Sequence, residues 1–361
     1  MKITLDRREL AETLKWVTAA LDKRPATLAM GGVRISVTET DVTLTAWDYA
    51  AAHSARINVA GAEPGELLVP GATLSAIVGA MRGKDVVLAE SGNQLEVACG
   101  SSTYRLQLLP LGDYMAPPAP PAQIGTVSGP SLAGAVAAVE WAAARDSMIG
   151  SIFQIHMEVV GDSLVVAATN RFVFGVDSCA YEGERFIAGI QPSMLTGAIA
   201  GVADEPVVGI GLSDSLLSLI GESRTVSLRL VSDPFVDWRA ALNVNLPEQL
   251  KVDAGELADA GRRVAALAAK DAAVRVTLTA EDVTLSASSE AGEGHDLIEG
   301  VATTPYEFGF NPSYLAAALK HFDGEVVIAY SADAERARPW RIESPTLPGR
   351  TSIVMPKRVL A

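Results

Sequence analysis

The chain has 361 residues, 49% of them hydrophobic and 20% charged, with 31 Gly and 19 Pro, so it can bury ordinary globular cores and is neither disordered nor low in complexity. Its formal charge of −14 excludes a protein that coats itself in nucleic acid through a basic exterior. Cys99 and Cys179 stand far apart in apolar, strand-like runs, which excludes a disulfide framework or structural zinc site and fits a reducing cytoplasm.

The first eight residues, Met1 to Arg8, carry charges where a signal peptide would have an apolar core, and no apolar run is long enough to span a bilayer. The expectation is a protein that is neither exported nor membrane-bound. Apolar residues at spacings of three and four then predict a helix over Arg7 to Leu21. Period-two strands come next at Val33, Ile35 and Val37 and at Val42 to Asp48, then an apolar strand, a turn and a second helix at Leu67 to Leu74, and two closing strands over Gln94 to Leu109. The Pro-rich stretch Ala116 to Pro121 reads as a stiff linker.

The same order recurs twice. Helices are predicted over Ser131 to Ala144 and Glu256 to Ala269, each leading into alternation, at Ile155, Met157 and Val159 and at Val274, Val276 and Leu278. Leu164 to Asn170 and Val283 to Ser289 match Val42 to Asp48; Ile187 to Leu195 and Phe308 to Leu315 match Leu67 to Leu74. Leu216 to Val231 and Trp340 to Met355 supply the closing strands, and a second linker is expected near Asn243 to Lys251. The aligned leucines Leu74, Leu195 and Leu315 set a period of about 120 residues. The predicted fold is α+β, three repeats of two helices packed on antiparallel sheets, with domains at 1–121, 122–246 and 247–361.

Catalytic signatures are missing. Gly79 to Lys84 has the wrong spacing for a phosphate loop and reads as a helix end. His53, His156, His295 and His321 lack metal-site spacing, Ser193 is not in a nucleophile elbow, and Asp204 and Glu205 read as a solvated loop. A non-catalytic protein without cofactor or metal is expected.

Four pieces in order, Ala168-Thr-Asn-Arg-Phe172, Phe235-Val-Asp-Trp-Arg239, Phe310-Asn-Pro-Ser-Tyr-Leu315 and Val354-Met-Pro-Lys-Arg358, resemble the bacterial DNA polymerase III β subunit, the sliding clamp. Trp47-Asp48-Tyr49 and the Ala-rich, acidic composition resemble its actinobacterial members, and the resemblance covers the whole chain. It implies a head-to-tail homodimer forming a closed six-domain ring around duplex DNA without sequence specificity, a nucleoid-associated processivity factor for the polymerase III α subunit, clamp loader and other clamp-binding-motif proteins. An acidic exterior suits such a ring, because topology holds the DNA and only modest positive potential is needed inside.

The resemblance places a partner-peptide groove at Ile149, Ile152, Thr169, Arg171, Phe172, Val173, Phe174, Val236, Ala240, Ala241, Asn311, Tyr314, Ile353, Met355, Pro356, Lys357 and Arg358. Val173 stands where Arg is usual, Phe174 where Leu is usual, Val236 where Pro is common and Ala240 where a basic residue is frequent. A diverged clamp paralogue with altered pocket selectivity, serving a specialised polymerase or inhibitor resistance, is therefore the alternative. The DNA-facing set is Arg7, Lys23, Arg24, Arg82, Lys84, Arg145, Arg262, Arg263, Lys270 and Lys320; the dimer contact is expected where Tyr104 and Leu106 meet Ala266 and Leu267.

Overall fold

The computed structural model describes residues 1–145, 148–268, 272–333 and 338–357. The first repeat runs β1 (Lys2–Asp6), α1 (Arg7–Val17), β2 (Gly32–Val37), β3 (Asp41–Trp47), β4 (Ala51–Asn58), β5 (Gly65–Pro70), α2 (Gly71–Ala80), β6 (Asp85–Ser91), β7 (Gln94–Cys99) and β8 (Ser102–Gln107). The second runs β9 (Gln123–Val127), α3 (Gly129–Glu140), β10 (Ile155–Val160), β11 (Ser163–Thr169), β12 (Val173–Gly183), β13 (Ile187–Ile190), α4 (Pro192–Ile199), β14 (Val208–Leu212), β15 (Leu216–Ile220) and β16 (Arg224–Arg229). A short helix, α5 (Trp238–Leu242), comes after it. The third runs β17 (Glu248–Asp253), α6 (Ala254–Ala265), β18 (Val274–Leu278), β19 (Asp282–Ser289), β20 (Gly292–Ala302), β21 (Tyr306–Phe310), α7 (Pro312–Leu319), β22 (Glu325–Tyr330), β23 (Trp340–Glu343) and β24 (Thr351–Val354).

The repeat is thus strand, helix, four strands, helix, three strands. In the first and third repeats the opening strand passes into the helix without a loop because one aspartate ends the strand and caps the helix. Asp6 accepts the amides of Arg8 and Glu9 at 2.8 and 3.0 Å, and Asp253 accepts that of Glu256 at 2.9 Å. Leu10, Leu14 and Val17 of α1 are fully buried, with Leu74 and Val78 of α2. Burying each leucine contributes roughly 1.5–3 kcal/mol.

Four boundaries differ from expectation. α6, expected over Glu256 to Ala269, runs Ala254–Ala265, and Ala266, Leu267 and Ala268 donate to the carbonyls three residues back. α1 stops at Val17 and tightens into a 3-10 turn, where the Thr18 hydroxyl donates to the Leu14 carbonyl at 2.7 Å. α3 stops at Glu140; Ala142 and Ala143 donate to the carbonyls three residues back, Val139 and Glu140. The linker expected over Asn243 to Lys251 is shorter, because β17 begins at Glu248 and pairs with β22 and β20.

Contacts gather into two compact units: Met1–Ala133, Tyr181–Glu184 and Ser193–Leu230 form one, and Gly134–Ala180, Arg185–Pro192 and Val231–Ala361 the other. In the first, the sheet β5-β2-β3-β4 continues into β16-β15-β14-β9 through pairs from Leu228↔Ala51 to Arg224↔Ala55. The four-stranded sheet β1-β6-β7-β8 ends at β8, an unpaired edge. In the second unit, β13-β10-β11-β12 continues into β24-β23-β22-β17 through pairs from Val173↔Val354 to Val176↔Thr351. There β20 pairs with β19 over Gly292 to Glu299 and leaves its other edge open along that stretch. Each unit holds one buried free cysteine, Cys99 and Cys179.

Candidate protein-docking groove

The β11–β12 turn in the second unit organises the site. The buried Thr169 hydroxyl donates to the Val173 carbonyl at 2.7 Å and accepts the Arg171 amide at 3.1 Å. The Asn170 side chain accepts the amides of Phe172 and Val173 at 3.0 and 3.1 Å. These bonds hold Arg171 at φ 82°, uncommon for a residue with a side chain, and present Phe172 to solvent, 59% exposed. Phe172 stacks near Tyr314 with centroids 6.4 Å apart, and its carbonyl accepts the Met355 amide at 2.8 Å. Tyr314 stands in the first turn of α7, which Asn311 caps through the Ser313 amide at 3.0 Å. The Lys357 amide donates to Gly309 at 2.6 Å and keeps the segment after β24 alongside.

Arg171, Phe172 and Tyr314 line an open pocket of about 610 Å³ with Ile149, Ile152 and Arg145. Trp141, Asn170 and Ser313 also line it, and none of these was expected. Arg145, expected to face DNA, lines this pocket. Beside it Phe174, Ile353, Val165, Ala167 and Val176 form a buried cluster covered by Phe235, Trp238, Ala241 and Leu242. Phe235 packs edge-on to Phe174 at 5.8 Å and flat on His156 at 4.8 Å. Of the expected groove residues, Ile149, Ile152, Arg171, Phe172 and Tyr314 line the open pocket, and Phe174, Ile353 and Ala241 belong to the ring-covered cluster, which borders a further opening of about 440 Å³ at Val165, Val176, Trp238 and Leu242. Thr169, Val173, Asn311, Met355, Pro356 and Lys357 belong to neither, nor do the exposed Val236 and Ala240.

Glu158 fastens α5 to β10. It accepts Arg239 at 2.8 and 3.0 Å, the Trp238 indole at 2.8 Å and a His156 contact at 3.3 Å. Arg239, then Trp238 and His156, hold its carboxyl down at about 2. Burial pushes the His156 pKa below its ordinary value. This network joins residues about 80 positions apart, so no local spacing announces it.

Lys23, Arg24, Arg82, Lys84 and Lys320 are exposed. Arg7 is half-buried and donates to the Gly83 carbonyl at 3.0 Å; Arg262 and Arg263 are engaged by Asp259 and Asp296. Tyr104, 46% exposed, and Leu106 lie on the edge strand β8; Ala266 caps α6 and Leu267 is next in the chain. Lys270 and Arg358 lie outside the described residues.

Two family models match this chain: DNA polymerase III beta subunit, N-terminal domain, over residues 1–118, and C-terminal domain, over residues 242–358. The chain belongs to the DNA polymerase III beta subunit family. The beta sliding clamp of Micrococcus luteus is 29% identical over 309 residues, covering 82% of this chain and 96% of that relative. That of Streptomyces coelicolor is 27% identical over 339 residues, covering 90% of each. The Pseudomonas aeruginosa sliding clamp bound to griselimycin superposes with a TM-score of 0.93 at 21% identity over 99% of this chain and 100% of that one. The family's repeated fold is therefore present, and no described helix is long and apolar enough to cross a membrane.

Proposed function

We propose that this beta subunit is a sliding clamp: two copies close head to tail around duplex DNA, and the groove at Phe172 and Tyr314 tethers the polymerase III α subunit, the clamp loader and other clamp-binding-motif proteins. It works without catalysis or cofactor, as an accessory subunit. Three domains, 1–121, 122–246 and 247–361, are the natural division, supported by the family matches at either end.

The observation that carries the ring is a missing seam. β4 of the first repeat joins β16 of the second, and β12 of the second joins β24 of the third. By the same rule β20 of the third repeat seeks β8 of a first repeat, and both are open edges. His53↔Val226 and Gly175↔Ser352 are equivalent pairs in the two seams that exist. Carried to the third, they set Tyr104 opposite Gly294 and Arg105 opposite Glu293. A heterologous contact of this kind closes a ring when its rotation permits. Sedimentation tests it: Arg105→Glu should weaken the dimer, and adding Glu293→Arg should restore it. A dimer indifferent to both changes would refute this seam.

A second reading, a paralogue with altered selectivity, is favoured by Phe174, whose ring is packed against Phe235 at a position where the family usually carries Leu. Titration with the organism's polymerase peptide and a pocket-binding inhibitor, beside a conventional clamp, decides it; equal affinities end the second reading.

A further inference from the structure

The first unit carries a counterpart of the groove-forming turn. Counting from the paired hairpins, Trp47 to Ala52 corresponds to Thr169 to Phe174. Asp48 accepts the amides of Ala50 and Ala51 at 3.0 and 2.8 Å, as Asn170 accepts those of Phe172 and Val173. Tyr49 stands at φ 71°, and the only other described non-glycine residue at positive φ is Arg171. The backbone is therefore the same, and both turns sit on a seam between repeats.

The side chains differ in a way that opens space. Ala50, Ala51 and Ala52 replace Phe172, Val173 and Phe174, and a cleft of about 290 Å³ lies beside them, room for one or two side chains. Trp47, Pro118 and Leu216 give it apolar walls. The Trp47 indole nitrogen is already spent on the Met115 carbonyl at 2.6 Å, so the tryptophan contributes surface without an unmet donor. Tyr49, 42% exposed, stands at the rim. So does Arg229, which is exposed and in no ion pair among the described residues. No carboxylate lines the cleft, on a chain whose net charge is −14. An apolar slot with one free cation is complementary to an apolar side chain with an acid next to it.

We propose that the cleft beside the β3–β4 turn, at the end of the β4–β16 seam, is a second docking site, for a short extended peptide offering a leucine or aromatic side chain and then a carboxylate. The mode of binding rests on the groove reading above, while the residues are distinct from it.

The test uses the full chain and a synthetic Gly-Leu-Phe-Asp-Glu peptide with benzophenone in place of the phenyl ring, photocrosslinked and mapped by mass spectrometry. Adducts are expected at Tyr49 or Leu216 as well as at the groove. Arg229→Glu should cut the cleft adducts by about tenfold, Ala50→Phe should block them, and neither should alter the groove adducts. An Asn-Gln version of the peptide should lose the cleft adducts. Cleft adducts absent, or unmoved by both variants, would overturn the inference and leave the groove reading standing. Cleft adducts without groove adducts would overturn the groove reading alone. If ultracentrifugation instead shows a self-association that Arg229→Glu abolishes, the occupant is a second copy and the peptide proposal fails.

Discussion

The β4–β16 and β12–β24 seams share a backbone and diverge in side-chain volume. At Asp48 and Asn170 the same turn is held by the same two hydrogen bonds, and Tyr49 and Arg171 adopt the same left-handed conformation. Three alanines come after the first turn, and Phe172, Val173 and Phe174 after the second. The repeat supplies the frame, and the side chains carried on it decide the lining of each seam's openings: alanines with Arg229 at the first, aromatic rings at the second.

The largest way to break the contrast is to remove a ring from the second seam. Phe174→Ala removes a ring that is 7% exposed and packed on Phe235, so a loss of about 3–5 kcal/mol is expected in urea unfolding monitored on the second unit. A loss below about 1 kcal/mol would mean that the covering segment collapses onto the site. Next is the fastening of α5. Glu158→Gln leaves Arg239 without its counter-charge and should cost about 1–3 kcal/mol, together with faster amide exchange at Trp238 and Arg239. Because the Glu158 carboxyl lies at about 2 in the folded chain against an ordinary 4.5, its contribution is complete above pH 4.5 and is lost as the pH falls toward 2. The Gln variant should lose less stability across that window than the parent chain, the remainder coming from Asp6 and Glu248, whose carboxyls are also held below their ordinary values.

Smaller changes sharpen the likeness. Asp48→Ala and Asn170→Ala should each cost about 1 kcal/mol, and unequal losses would show that the two turns are not mechanically equivalent. Tyr49→Gly and Arg171→Gly should relieve the left-handed strain and raise stability by roughly 0.5 kcal/mol, visible as a small rise in Tm. A mild pH effect should accompany these. His53 and His156 are pushed below their ordinary value of 6.5 by burial, so the unfolded chain binds protons first as pH falls below 6.5. Stability should therefore be full above that pH and decline below it.

The repeat was legible because helices, turns and alternating strands leave local periodicities, and Leu74, Leu195 and Leu315 returned at a constant interval. The opening strands β1 and β17 escaped for a local reason too: Asp6 and Asp253 serve as strand end and helix cap at once, so no glycine or proline marks the change. Short motifs supplied Arg171, Phe172 and Tyr314, which the fold brings together in one pocket lining. The ring-covered cluster beside it was not legible, since that depends on Phe235 meeting both His156 and Phe174 and on Glu158 meeting Arg239 across the sequence. Contacts of that range are set by the fold, and no spacing encodes them.

The two buried cysteines make each unit its own reporter. Cys99 is sealed in one and Cys179 in the other, and burial pushes the Cys179 thiol up to about 11, so almost no thiolate is present at neutral pH. A thiol reagent can react only when a unit opens, and the adduct's position tells which one did. Labelling rates at the two positions, read from a single intact chain, would time the opening of each half separately and show whether binding at one seam quiets the other.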